Sequence, residues 1–532
     1  MKYTSVFLLA ATAAASAILP TVAFAQKPGG IMRMYHRGNP PSASIHEEAT
    51  TSTVMPFAVV YNNLIQFDPK KSINTIDTII PELASKWSWD SSNTKLTFTV
   101  REGVKWHDGK PMTAADVKCT WDLLQGKAKA RLRKNPRKIW YRNLKDVTTS
   151  SPTSVTFNLN TPQPAFVMLL ASGYSPVYPC HVSPKQMRTN PIGTGPYKFV
   201  SLKRNESITL KKNPDYFKKG LPYMDGIEWK IIKSRSTRIL AFSAGEFDMT
   251  FVTDVSLPLL KDVKAQAPNA ICKVVATGVT TNLIVNSTAA PFDNPKIRTA
   301  MALAIDRKSF IDILGQGKYA RGGAMLPAPE GRWGMPKAMM ETIPGYNPDV
   351  AGNRAKAIKI MEGLGYTKDK PLKVKVSTRN IAIYRDPAVI LIDQLKLINI
   401  QAELEVVETS QWHAKVARKD YAVGLNLTGV GVDDPDVNLY ENYWCTSQRN
   451  YTKYCNKDVQ KLMLKQSTIA DYEQRRKLVW EIDKKLQEDV ARPIIYHSRN
   501  ATCWQPYVKG VVAPENSSYN AWRQYEHMWL DK

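Results

Sequence analysis

The chain has 532 residues, 43% hydrophobic and 23% charged, a globular composition too long for one ordinary core, so two or three lobes are expected. Its formal charge of +26 raises nucleic acid as a partner, yet the basic residues are spread along the whole chain. The one dense basic run, 127–138, is broken by Pro136 and lacks interleaved aromatic side chains, which argues against nucleic-acid binding. It reads as a solvated helix flank, with a basic face toward anionic lipid or a membrane transporter as the other use of such charge.

At the start of the chain, Lys2, the apolar run 6–19 and the small-residue site Ala23-Phe24-Ala25 read as a cleavable secretory signal, so residues 1–25 are expected to be removed. No cysteine follows that run to accept a lipid, and no later stretch is long and apolar enough for a membrane span. A soluble periplasmic protein that begins at Gln26 and is not lipid-anchored is the expectation.

Further on, the alternation over 97–100 predicts a strand and Asp108-Gly109 a tight turn. Thr113, with Asp116 three residues later, predicts an N-cap whose helix carries Val117 and Trp121 inward. His107 and Asp108 read as turn residues rather than a catalytic pair, and Gly193-Thr194-Gly195-Pro196 as a turn rather than a phosphate cradle. Asn294 and Pro295 open a helix on which Ile297, Met301 and Ala304 recur at helical spacing. The string GQGKYA from Gly315 fits a dinucleotide pattern but follows a helix, where that site needs a strand, and is discarded. Leu372, Val374 and Val376 form a strand, a helix opens at Asp386-Pro387 and runs to Ile398, and Ala402, Leu404 and Val406 form a second strand. This is a strand, helix, strand unit of an α/β fold. Leu478, Ile482 and Leu486 mark another helix, with Pro493 closing it before an apolar strand at 494–496.

Six cysteines in an exported chain allow disulfides. Cys445 and Cys455 enclose a short loop and are expected to be bridged; Cys119, Cys180, Cys272 and Cys503 leave three pairings, or free buried thiols, open. Neither a Cys-x-x-Cys pair nor a close Cys and His set suggests zinc. The sequence also lacks an H-E-x-x-H, a G-x-S-x-G elbow and a P-loop, so no enzyme and no cofactor is implied.

Several strings occur in a fixed order: PELA with Trp87 at 81–87, TFTVREGVKWHDGKPMTAADV at 97–117, GTGPY at 193–197, LKKNPDYF at 210–217, Arg238 with SAGEFD at 243–248, and PFDNPKIRTAMALAIDR at 291–307. Together they closely resemble the family 5 extracellular solute-binding proteins of bacterial ABC importers, the peptide and nickel binders. The resemblance implies a two-lobed periplasmic binding protein fold of the α/β class, hinged by two crossover strands. It implies three domains in all: lobe I from 26–67, 177–277 and 494–532, an inserted domain II at 68–176, and lobe III at 278–493. It further implies a monomer that captures a peptide or peptide-like solute between the lobes and delivers it to the permease subunits of an importer. Two alternatives stand beside it. A nickel or metal-chelate binder on the same fold has His413 as the sole histidine near its site, and a periplasmic sensor or chaperone subunit would bind a partner protein instead.

The richest candidate site is 428–445, where Asp433, Asp434 and Asp436 gather beside Trp444; Asp434-Pro435-Asp436 is also a good helix start. In the resembling peptide binders an aspartate three positions before this string fixes the peptide amino terminus, and here Gly431 stands in that place. Arg379 ends the strand that begins at Leu372, where α/β sheets hold ligands, and its planar fork suits a carboxylate; Arg385 is the fallback. Aromatic walls are expected from Trp412, Trp333, Tyr384, Trp444 and Tyr61.

Overall fold

The computed structural model describes residues 26–532 apart from Thr253, Val430 and 518–520, so the expected signal at 1–25 lies outside the described residues. The segment 97–117 folds as its residues dictate. Strand Lys95–Val100 buries Leu96, Phe98 and Val100 and is flanked by Ala84–Trp89 and Ser154–Leu159, with Leu144–Ser151 completing a four-stranded antiparallel sheet. The turn closes where Gly109 takes φ +86° and donates to the Trp106 carbonyl at 2.8 Å. Thr113 and Asp116 form a reciprocal capping box on helix Ala114–Gln125, which buries Val117 and Trp121.

A second four-stranded sheet has the order Ile31–His36, Gly226–Ile231, Ser207–Lys212, Tyr197–Lys203, with only the first pair parallel. The glycines of 193–197 do more than turn the chain. A β-carbon on either Gly193 or Gly195 would collide with backbone of 59–61, and the His107 ring nitrogen Nε2 lies 2.9 Å from the Gly195 carbonyl, tying the two segments together.

The third sheet has five strands in the order Ile400–Val407, Leu372–Arg379, Val423–Gly429, Ile271–Val285, Ile494–Trp504. Its first two are the expected parallel unit, in register from Leu372 with Ile400 to Arg379 with Val407. The helix between them starts earlier than Asp386-Pro387: it spans Ala382–Lys396 with Pro387 inside it. The cause is local. Tyr384, in the first turn, packs against Arg379 and accepts a 2.8 Å hydrogen bond from it, so the chain turns helical as soon as it leaves the sheet.

Two strands of this sheet are long enough to serve both halves of the molecule. Ile271–Val285 and Ile494–Trp504 run antiparallel from Ile271 beside Trp504 to Asn282 beside Ile494. The half that begins at Val279 pairs with Val423–Gly429, while bridges from Val255 to Ala501, Met249 to Trp504 and Met34 to Met249 join the other half to the second sheet. Register slips between Ala276 and Thr280, where Gly278 has φ +63°. One hydrophobic core runs through the first two sheets without a break, and the five-stranded sheet and its helices have cores of their own around Leu283, Leu391 and Leu425 and around Tyr440, Val479 and Ile482. Val432 and Val437 cross over and pack into the first core, so the two lobes touch there.

All six cysteines pair. Cys445 joins Cys455 as expected, Cys119 joins Cys180, and Cys272 joins Cys503 across the two long strands. No helix among the described residues is long and apolar enough to cross a membrane.

Candidate functional site

Where the lobes meet, the segment 45–52, which leads from the loop after the first strand into helix Thr51–Phe57, is buried except at Thr51; Glu47 and Glu48 are 0% exposed. Four guanidinium groups converge on it from four stretches of the chain. Arg137 donates to the carbonyls of Ile45 and Glu48 at 3.4 and 2.7 Å, and Arg449 donates to that of Ala49 at 3.4 Å. Arg37 reaches the Thr51 hydroxyl at 3.5 Å and Arg379 the Ser52 hydroxyl at 3.4 Å. The two carboxylates of the loop are already matched. Glu47 accepts from Arg188 at 3.0 Å and from the Arg133 backbone at 2.6 Å, and Glu48 accepts from Arg133 and Lys134 at 2.7 Å each.

This corrects the reading of the basic run 127–138 as a solvated helix flank. Helix Ala114–Gln125 ends at Gly126, φ +76°, and the run that follows wraps the loop, setting cations against carboxylates that burial would otherwise strand.

Arg379 is 1% exposed. It donates to the hydroxyls of Tyr384, Thr409 and Ser52 and lies 4.7 Å from the Tyr384 ring, and its Nε has no partner among the described residues. Four residues along helix Thr409–Ala417 from Thr409 sits His413, whose Nδ1 is 3.2 Å from the Tyr451 hydroxyl and whose Nε2 is likewise without a partner. Burial holds the His413 imidazole well below its usual range, and the nearby charges of Arg379, Arg449, Lys134 and Arg137 push it further down, so it is neutral at pH 7.

The glycine and aspartate stretch is differently disposed. A β-carbon on Gly431 would stand 3.0 Å from the Ser172 hydroxyl and 3.3 Å from the Tyr174 ring, so its backbone lies flush against the other lobe. Asp433 accepts from the Arg332 backbone at 3.1 Å, its carbonyl accepts from the Trp333 indole at 3.0 Å, and burial pushes its carboxyl up to about 7. Asp434 caps helix Pro435–Tyr443 and grips Arg475 with both oxygens at 2.8 and 2.9 Å. Asp436 is 0% exposed and accepts from Arg475, Gln466 and Ser467, and from Gln163 of the opposite lobe at 2.7 Å.

Among the nine candidates, Arg379 and Tyr384 come together at the lobe junction, and Tyr61 lies near it, its hydroxyl bonded to the Ala43 carbonyl and its ring stacked on Tyr178 at 5.1 Å. Gly431 sits at a second point of contact between the lobes, and Asp433, two residues on, is bonded within its own lobe to Arg332 and Trp333. The others lie elsewhere. Trp412 is packed in the far lobe against Ile284 and Val416 with its indole donating to Asn426, Trp333 stacks on Arg475, Trp444 faces the Arg142 guanidinium at 4.6 Å, and Asp434 is committed to Arg475. The fallback, Arg385, is exposed and donates to Asn380. Sequence reasoning missed Arg37, Arg137 and Arg449. Arg37 directly follows the strand Ile31–His36, the same strand-end position that singled out Arg379, and Arg449 stands inside the Cys445–Cys455 loop.

Two lobes joined by two crossover strands, with a cation-rich junction between them, define a two-lobed periplasmic binding protein fold. Solved structures share it: the oligopeptide-binding protein AppA of Bacillus subtilis, in complex with a nonapeptide, superposes with a TM-score of 0.82 at 23% identity over 96% of this chain and 100% of that one. AgaA from A. tumefacien R10, in complex with agropinic acid, does so with a TM-score of 0.80 at 21% identity over 94% and 99%. Among curated proteins, the "Probable di/tripeptide-binding protein 5" of Pseudomonas aeruginosa strain UCBPP-PA14 is 25% identical over 487 residues, 84% of this chain and 85% of that protein. The chain belongs to the bacterial extracellular solute-binding proteins of family 5, whose middle-region model matches residues 78–450.

Proposed function

We propose that this protein is the periplasmic substrate-binding component of an ABC importer, holding a peptide or peptide-like solute between its lobes and handing it to the membrane permease. The observation that carries the reading is Arg379, a buried guanidinium whose partners among the described residues are hydroxyls and a ring, at the point where both lobes meet, in a chain similar to a probable di/tripeptide-binding protein. On this reading 26–67, 177–277 and 494–532 act as one lobe, 68–176 is an insertion into it, and 278–493 is the opposing lobe. The crossover strands are the hinge, with the irregularity at Gly278 as its flexing point. The chain acts as a monomer in the periplasm after loss of 1–25, and ligand works by stabilising the closed form that the transporter recognises. The family and fold are those of binding proteins, and the cations facing His413 make a poor home for a bare nickel ion.

Closure excludes water from the charge pair between Arg379 and a ligand carboxylate, so Arg379→Ala is expected to weaken binding by about 3 to 5 kcal/mol, with any loss of stability in the empty protein read separately by thermal melts. Native mass spectrometry of protein purified without unfolding, followed by calorimetry with the retained solute, tests this. No retained solute, together with no heat from a di- and tripeptide library, would refute the reading.

A further inference from the structure

The charge pattern at the junction narrows the solute. Resting on the reading above, we infer that the site takes a solute with at least two carboxylates and makes no charge pair with an ammonium group. Among the described residues, Arg307, Arg379 and Arg492 of the far lobe are buried without a carboxylate partner; Arg307 donates to the Ile494 and Gly345 carbonyls and lies against the Tyr346 ring, whereas the other two belong to the junction. Arg379 is satisfied only by hydroxyls and a ring, with Nε bare among the described residues. Arg492, 1% exposed, donates to the Thr428 hydroxyl at 3.3 Å, the Asn442 amide oxygen at 2.8 Å and the Arg449 carbonyl at 2.8 Å, all neutral, and its Nε is bare as well. A buried cation with neutral partners keeps much of its desolvation cost, and an incoming anion removes it.

The two are linked through one polar chain. Arg492 lies 5.4 Å from the Tyr451 ring, the Tyr451 hydroxyl meets His413 Nδ1 at 3.2 Å, and Thr409, one helical turn before His413, meets Arg379 at 3.1 Å. In the tautomer whose Nδ1 accepts from Tyr451, the bare Nε2 is a donor, so a third group suited to an oxygen anion faces the same region. The acids nearby are already engaged: Glu47 by Arg188, Glu48 by Arg133 and Lys134, Glu441 by Arg449 at 2.7 Å, and Asp434 and Asp436 by Arg475. Of the acids named for this region, Asp433, bonded to the Arg332 backbone and pushed up to about 7 by burial, has no cationic side chain on it among the described residues.

An acidic peptide and a non-peptidic polycarboxylate share this chemistry, and four probes separate them: Ala-Ala, Glu-Glu, N-acetyl-Glu-Glu and citrate, titrated by calorimetry into the intact protein at fixed ionic strength. Glu-Glu is expected to bind roughly thirtyfold or more tightly than Ala-Ala, since each additional desolvated charge pair carries that order of effect, and N-acetylation is expected to change its affinity by less than about threefold. Arg492→Gln should lower Glu-Glu affinity and leave Ala-Ala nearly unchanged, and Asp433→Asn should leave both unchanged. Tight citrate with Glu-Glu and N-acetyl-Glu-Glu both weak supports the inference and assigns a non-peptidic acid. Ala-Ala matching Glu-Glu, loss of binding on acetylation or in Asp433→Asn, or silence from all four probes overturns it. The proposed function survives that result if a neutral peptide library still gives heat, and falls with it if the library too is silent.

Discussion

Arg475 and Asp433 show opposite ways of keeping charge inside the protein. Arg475 holds Asp434 and Asp436 in a buried fork, and those charges push its guanidinium pKa up. Arg475→Ala would leave two carboxylates buried without a counter-charge and is expected to cost about 3 to 5 kcal/mol, read from the urea midpoint. A loss below about 1 kcal/mol would mean that water reaches the fork. Asp433 lacks such a partner, and its folded carboxyl titrates at about 7 against 3.8 for an ordinary aspartate. Between those values the folded form keeps a proton that the unfolded chain releases, so stability from this group is greatest below about pH 4 and declines as pH rises to 7. Asp433→Asn removes the titration. The variant should gain roughly 1 to 3 kcal/mol over the wild type at pH 8 and little at pH 4.5, a difference that paired thermal melts would show.

At the scale of elements, the two glycines Gly109 and Gly195 separate two reasons for the same residue. Gly109 has φ +86° and open space around it, so Gly109→Ala should cost only backbone strain, about 1 kcal/mol. In Gly195→Ala the new carbon would lie 2.7 Å from the Tyr61 nitrogen and closer still to the backbone of Val59 and Val60, none of which can swing aside. A loss of about 3 kcal/mol or failure to fold is expected, and equal melting temperatures for the two variants would contradict the distinction. Elements whose signals are local were readable from sequence: the capping box of Thr113 and Asp116, the Asp108-Gly109 turn, the Asn294 cap and the alternation from Leu372. The start of the following helix was misplaced because Pro387 is a strong local signal, whereas the Tyr384 contact with Arg379 that sets the true start is a matter of packing. The site was only partly legible for the same reason. Arg379 has a strand end to announce it, but Arg137 lies in a run whose composition resembles surface, and nothing local to it reports that Glu47 and Glu48 are buried beneath.

For the whole molecule, the histidines dominate acid stability. His36 and His46 are lowered to about 3 and His107 and His497 to about 4, in every case mainly by burial, and His413 lies well below its usual value. Such groups favour the folded state fully above pH 6.5, and that contribution is lost as pH falls through 6.5 toward 3, because the unfolded chain then binds protons the folded one refuses. Asp433 and Asp483, lifted to about 7 and about 6, act in the other direction, as do Glu82, Asp386 and Asp434, whose carboxyls burial also raises, but the histidines release their contribution within this window because their ordinary value of 6.5 lies inside it. The melting temperature should therefore drop between pH 7 and pH 5, and a protein more stable at pH 5 than at pH 7 would show that these rings are hydrated.

Cys272 and Cys503 face each other across the crossover strands although 231 residues separate them, and the Cys445–Cys455 bond is nested between. A chain threading through an export pore N-terminus first presents Cys445 to the Cys272 thiol before Cys503 has emerged. Oxidation in order of arrival would couple Cys272 to Cys445 and Cys455 to Cys503. On the proposed export, the covalent staple between the two crossover strands, at their end in the first lobe, is therefore the last to be made, and a host must either keep Cys272 reduced until the C-terminal strand docks or exchange the early bonds for the native ones.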